Sequence, residues 1–229
     1  MSELTFDKIE DEYESIVEDS ISFSGLRHDF FMQAKADLLE RLARKHLGDP
    51  KSARLVDIGC GVGRLHAHIK DRFDSIDGCD VSERSITRAR RENPFATYST
   101  SSGDRLPYAD AGFDLAVTAC VMHHVVPSQW DAFLAEMRRV VRPGGLVIII
   151  EHNPFNPLTR LAVSRCAFDA DAVLLAPRRS EKLLKAAGCS KVSSHNFLFL
   201  PSAAGWARAI EAGLRRVPLG AQYATVGLA

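Results

Sequence analysis

The sequence predicts an α/β fold, a mostly parallel sheet with helices on both of its faces. Three observations carry this. Between residues 51 and 152, short apolar runs alternate with segments of helical period. One run, Leu146-Val-Ile-Ile-Ile150, is continuously apolar, as a strand buried on both faces must be. The first strand of this zone also passes into a helix through a turn built on Gly59, Gly61 and Gly63.

In chain order, residues 1–50 read as a polar helical leader. Phe30, Phe31, Ala34, Leu38, Leu42 and Ala43 recur at three- and four-residue steps, and Gly48-Asp49-Pro50 stops that helix. Ile16, Ser20 and Ile21 lead into a turn at Ser22-Phe23-Ser24-Gly25, so the leader is placed to lie across the main domain, 51–229, as a lid. A strand is expected over 54–58, a helix over 62–70 through Leu65 and Ile69, and a strand over 75–80 that ends in an acid. Ser82 caps the next helix, to Arg91, and strands follow over 95–100 and 113–120. Ser128 is expected to cap a helix whose stripe is Trp130, Phe133, Leu134, Met137 and Val140. Pro143-Gly144-Gly145 then turns the chain into the strand 146–150. Beyond it, an insert at 153–176 has no clear period. A helix over 177–188, a strand over 192–200, a helix over 206–214 and a strand over 222–226 complete the chain.

Composition excludes several classes of function. The 229 residues are 46% hydrophobic and 25% charged, with 29 basic and 29 acidic side chains, so no surplus of positive charge is available for a phosphate backbone. The acidic start MSELTFDKIEDEYESIVEDS lacks the basic end and apolar run of a signal peptide, and no apolar run is long enough to span a bilayer. Five cysteines, an odd number without a CxxC pair, suit a reduced cytoplasm better than a disulfide framework. His66 and His68, two apart on a helix, diverge and read as surface or interhelical residues, and no His, Cys and carboxylate group has metal-ligand spacing, so no metal is expected.

The chemistry concentrates in LVDIGCGVGRL, residues 55–65. Glycines there let backbone approach a ligand, and the helix end beyond offers unpaired N–H groups. The third glycine falls four residues after the first rather than five, and no GK[ST] follows, so neither a dinucleotide fingerprint nor a phosphate loop is present. Asp57 lies in the strand before the turn. Asp80 ends the next strand, 21 residues after Gly59, where a carboxylate is placed to accept hydrogen bonds from ribose hydroxyls.

Together with GCDVS, LPYADAGFDLAV, MHHV and RRVVRPGGLVIII, this stretch resembles the class I S-adenosylmethionine-dependent methyltransferases, in the branch acting on small molecules such as quinones, sterols, sugars and natural products. The resemblance covers about residues 50–152. It implies a Rossmann-like, mostly parallel seven-stranded sheet, with S-adenosylmethionine as cofactor. It places Asp57, Gly59, Cys60 and Gly61 beside the methionine part, Asp80 on the ribose and Val81 against adenine. Ser101 or Ser102 falls where relatives have an acid near the adenine amino group, and carbonyls around Ala119 fall where relatives hold the methionine ammonium.

On the acceptor side, His124 and His152 follow strands at the ligand edge and either is expected to serve as general base, with one of His123 and His124 packed or capping. Glu151 is expected to orient the chain by binding backbone. Asn153, and Tyr13 and His28 from the leader, are further candidates for contact with substrate. The insert's Phe155, Leu158, Leu161 and Phe168, interspersed with Arg160, Arg165, Asp169 and Asp171, suit a pocket for an organic molecule. The expected activity is methyl transfer to an O, N or C acceptor on a small metabolite, by a monomer or homodimer without nucleic-acid partner. The alternatives are an NAD-dependent oxidoreductase and a protein or nucleic-acid methyltransferase.

Overall fold

A computed structural model describes residues 13–200, 202, 210, 213–214 and 217–229; the side chains of residues 13–15 and 17 lie outside that description, as does most of the helix expected over 206–214. Seven strands form one sheet: β1 (Arg54–Ile58), β2 (Ser75–Asp80), β3 (Thr97–Thr100), β4 (Phe113–Ala119), β5 (Val141–His152), β6 (Ser190–Phe197) and β7 (Gln222–Leu228). Their order is β3-β2-β1-β4-β5-β7-β6, parallel except that β7 runs antiparallel to both β5 and β6. The expected fold class is therefore observed.

Alternation along the strands builds two cores. Leu55, Leu115, Leu146, Ile148 and Ile150 pack with α2 (His28–Leu47) and α3 (His66–Ile69) on one face. Val56, Ala116, Val147 and Ile149 meet α5 (Trp130–Val140) and α7 (Pro177–Ala186) on the other. Ahead of α2 stands α1 (Tyr13–Ile21); α4 (Glu83–Glu92) follows β2, and α6 (Pro157–Arg165) follows β5. One face of the expected leader's second helix is thus part of the core: Ala36, Leu39 and Ala43 of α2 are fully buried.

Several boundaries differ from expectation, each for a local reason. Helix α3 starts only at His66, because the glycine turn continues through Gly63. Ser128 does not cap α5: Pro127–Gln129 form a 3-10 turn, and Trp130 is anchored instead by its indole N–H donating to the carbonyls of Met122 and Val125. Pro143-Gly144-Gly145 is not a turn into a new strand but a bulge within β5, with Val141 opposite Phe113 and Leu146 opposite Leu115. Strand β3 begins two residues later than expected, after the Ala96 N–H donates to the Asn93 carbonyl in a turn. Ser82 does cap α4, its hydroxyl oxygen accepting from the Ser85 N–H at 3.1 Å. The insert folds as α6, capped by Asn156, followed by a 3-10 turn at Ala167–Asp169.

Strands β1, β2, β4 and β5 end at one edge of the sheet, at Ile58, Asp80, Ala119 and His152. Ile148 is fully buried in β5, an interior strand that supports this edge. Ile148→Ala is expected to cost about 2–5 kcal/mol; denaturant unfolding checks this, and a loss below ~1 kcal/mol would show that the core relaxes around the deletion.

Candidate active site

The turn after β1 is tied to the end of β2. The N–H groups of Gly59 and Cys60 both donate to the Cys79 carbonyl, at 2.8 and 3.0 Å, and the Gly61 N–H donates to Asp80 Oδ2 at 2.8 Å. Asp80 Oδ1 accepts from the Ser82 N–H at 3.0 Å, so the carboxylate is held rigidly between two loops. Burial pushes its pKa up, against those amide bonds, which lower it. Gly59 has φ 77°, and a Cβ there would lie 2.6 Å from a Val121 methyl. A Cβ on Gly61 would instead enter open space, which leaves room for a ligand against the backbone.

Behind this turn, His66 is completely buried, not at the surface or between helices as the sequence suggested. Its Nδ1 lies 2.6 Å from the Tyr98 hydroxyl and its Nε2 3.2 Å from Asp57 Oδ2. If the Tyr98 hydroxyl donates to Nδ1, the Nε2–H donates to Asp57, so the ring orients the carboxylate. Asp57 Oδ1 is buried and has no hydrogen-bond partner among the described residues.

The ends of β4 and β5 carry a second cluster. His123 is the packed member of the histidine pair. Its Nδ1 is 2.6 Å from Glu151 Oε2 and its Nε2 3.3 Å from Asp169 Oδ1. Glu151 thus engages this imidazole rather than chiefly the backbone; its one backbone bond, from the His152 N–H, is 3.3 Å long. Burial disfavours the His123 cation, but Glu151 and Asp169 outweigh it and raise its pKa well above the ordinary value. His124 Nε2 lies 3.5 Å from Asp169 Oδ1, and burial, with the His123 cation beside it, lowers its pKa to about 4. Burial lowers the His152 imidazole pKa, but the neighbouring Cys120 more than offsets it, and the net shift is upward. Burial raises the Cys120 thiol, yet Lys35 and His152 bring it down to about 7. Cys120 also has φ 60°, the left-handed region that a non-glycine residue rarely adopts.

Both clusters line one cleft of about 900 Å³. Of the expected residues, Asp57, Gly59, Cys60, Gly61, Asp80, Val81, Ser101, Ala119, His28, His124 and His152 border it. Ser102 does not: it is exposed outside the cleft, while its neighbour Ser101 is buried. Asn153 does not either. It is fully buried, donating to the carbonyls of Pro218 and Gly220 and accepting from the Phe155 N–H, which makes it a tie between β5 and the loop before β7. Tyr13 opens α1, but its side chain lies outside the described residues. Lys35, a buried lysine facing the cleft from α2, escaped the reading of the sequence, whereas Asp169, expected among the polar residues of the insert, does border the cleft. His123, His152 and Asp169, far apart in sequence, each bring one potential ligand atom to within 4.8 Å of the others.

The titration of the cleft has a stability consequence. Burial, with Lys35 and Arg64 nearby, lowers His28 to about 4, as burial and His123 do for His124. From about pH 6.5 down to about 4 the unfolded chain takes up these protons and the folded one does not, so stability falls as pH falls through that window, on the order of 2 kcal/mol per histidine. His123, held protonated throughout it, adds no slope there and loses its contribution only as pH rises through its raised value. Asp80, pushed up by burial, opposes the trend near its lower end. The double variant His28→Gln/His124→Gln is expected to flatten the dependence in denaturant melts; an unchanged slope would contradict these burial effects.

Comparison with known proteins agrees with this geometry. Residues 56–149 match the family described as Methyltransferase domain. The chain is 30% identical over 126 residues to a demethylmenaquinone methyltransferase of Beutenbergia cavernae, covering 54% of this chain and 52% of that one. It is 28% identical over 181 residues to a ubiquinone biosynthesis O-methyltransferase of Rhizobium etli, covering 69% and 71%. This chain spans about half the length of curated relatives such as the first of these. A solved structure from Thermotoga maritima, described as a SAM-dependent methyltransferase and possible histamine N-methyltransferase, superposes over 97% of both chains with TM-score 0.66 at 21% identity, which shows the fold. Glycine turn, strand-ending acid, sheet order and the match over residues 56–149 agree: this part of the chain is similar to the methyltransferase domain, and the fold is that of S-adenosylmethionine-dependent methyltransferases.

Proposed function

We propose that this chain transfers a methyl group from S-adenosylmethionine to an oxygen, nitrogen or carbon of a small organic metabolite, releasing S-adenosylhomocysteine. The observation that carries the reading is continuity: Asp80 and the glycine turn at one end and His124, His152 and Phe168 at the other line a single cleft. Residues present fit the cofactor. Open space at Gly61 admits it against the backbone, Asp80 retains acceptor capacity for two hydroxyls, and the unpartnered, buried Asp57 Oδ1 suits a cationic group. When bound, the cofactor supplies a methyl group already activated on a sulfonium.

The protein's own tasks are then to aim the acceptor and exclude water. Phe30, Phe31, Phe133, Leu158, Val163 and Phe168 give the cleft an apolar wall, which suits a ring or chain of low polarity. The quinone-pathway names of two relatives support the same class of acceptor. His152, a partly buried imidazole on the cleft whose pKa is raised by Cys120 against the effect of burial, accepts the acceptor's proton in its neutral form, and His124 is the other candidate. Ser20 to His28 borders the mouth of the cleft, so this part of the leader acts as the lid. Cytoplasmic location belongs to the same reading: all five cysteines are unpaired thiols, and no helix among the described residues is long and apolar enough to cross a membrane. Neutral net charge favours a small molecule over a nucleic acid.

Asp80→Ala is expected to weaken S-adenosylmethionine binding at least tenfold, through loss of charge-assisted ribose bonds; unchanged affinity in calorimetry would remove Asp80 from the cofactor site. His152→Ala is expected to lower kcat by roughly a hundredfold with little change in cofactor affinity, and a wild-type rate would exclude it as base.

A further inference from the structure

The cluster at the ends of β4 and β5 is built like the protein half of a metal centre. His123, His152 and Asp169 each present one ligand atom, and the three atoms lie within 4.8 Å of one another. His123 Nε2 and Asp169 Oδ1 are 3.3 Å apart, and His124 Nε2 stands 3.5 Å from the same oxygen. Tetrahedral ligands about 2.0–2.1 Å from an ion are roughly 3.4 Å from each other, so these edges already have the right length. On its far side, His123 Nδ1 meets Glu151 Oε2 at 2.6 Å, and Glu151 is fully buried. A carboxylate gripping the outer nitrogen of an imidazole fixes its tautomer and turns the lone pair of the inner nitrogen toward the ion, as in carboxylate–histidine–metal triads.

Burial points the same way. The Glu151 side chain is fully buried and that of Asp169 only 10% exposed, so two carboxyl groups are enclosed with His123 between them. A divalent cation held by His123, His152 and Asp169 offsets the cost of enclosing both.

We propose that His123, His152 and Asp169 bind a divalent first-row transition ion of the zinc class in the floor of the cleft. Glu151 is a positioning residue for His123. Two imidazoles and one carboxylate leave coordination open. All three ligands line the cleft, so the open position faces the space given above to the acceptor. An acceptor oxygen bound there loses its proton more easily, which narrows the substrate class to molecules bearing a hydroxyl or enolic oxygen. This narrowing rests on the methyltransferase reading; the metal site does not. In the loaded site His152 is a ligand, and the proton passes to His124 or to solvent.

The test measures metal binding by itself, with no cofactor or acceptor present. The full chain, stripped with chelator, is titrated with Zn²⁺ in a calorimeter and with Co²⁺ in a spectrophotometer. One equivalent is expected to bind at micromolar or tighter Kd, with the visible bands of four- or five-coordinate cobalt. Asp169→Asn is expected to weaken binding at least tenfold, and the isosteric Glu151→Gln about tenfold or more. Imidazole nitrogen NMR of the wild-type protein, which requires no variant to fold, is expected to show two ring nitrogens shifting on zinc addition. No saturable site at one equivalent, imidazole signals that do not move, or equal affinity in folded Asp169→Asn would each overturn the proposal and leave His123 as a protonated bridge between two acids. Zinc binding in a protein that fails to bind S-adenosylmethionine would sustain the site while refuting the methyl-transfer reading.

Discussion

The hydrogen bond from the Gly61 N–H to Asp80 Oδ2, at 2.8 Å, is the constraint on which the rest of the site depends. It joins the turn after β1 to the end of β2, and so fixes a backbone surface and a carboxylate in one relation. That relation is possible because the two strands are parallel neighbours in register, Ile58 opposite Cys79, which brings both carboxyl ends to the same edge. Backbone amides hold the acid, leaving its other lone pairs for a ligand. His66 does the equivalent work for Asp57 from behind, stacked on Tyr98 with ring centroids 5.3 Å apart.

The other end of the cleft works by charge rather than by backbone. Two acids enclose His123, and their field sets its protonation and, through it, that of His124. Cys120 and His152 form a further pair under the influence of Lys35. The cleft therefore passes from a rigid hydrogen-bonded cradle to a polarised cluster within one cavity, under an apolar wall. The two groups stand on separate elements, β1 and β2 for the first, β4, β5 and the insert for the second, and the proposed function assigns binding to one and proton handling to the other.

Much of this was legible from local pattern. The strand-turn-helix at 54–66 and the acid at 80 depend on residues close in sequence, so spacing alone located Asp57, Gly61 and Asp80. Continuous apolarity marked β5 because a central parallel strand has no solvent face. What escaped were relations between distant elements. His66 sits on the face of α3 that turns under the sheet edge, and only the pairing of β1, β2 and β3 brings Asp57 and Tyr98 to it. The group of His123, His152 and Asp169 comes from three separate elements, so no spacing rule finds it. Asn153 was misjudged because its neighbours suggested the cleft, while its amide is consumed by carbonyls of the loop before β7.

The central claim is that the cradle holds an adenosyl cofactor whose sulfur faces the histidine cluster. A crystal structure of the full chain with S-adenosylhomocysteine tests it most directly. The account predicts both ribose hydroxyls within hydrogen-bond reach of the Asp80 carboxylate, the amino acid moiety beside Gly61 and Asp57, and the sulfur directed toward His124 and His152. Adenosine density seated elsewhere in the cleft, with Asp80 contacting only the amides of Gly61 and Ser82, would contradict it.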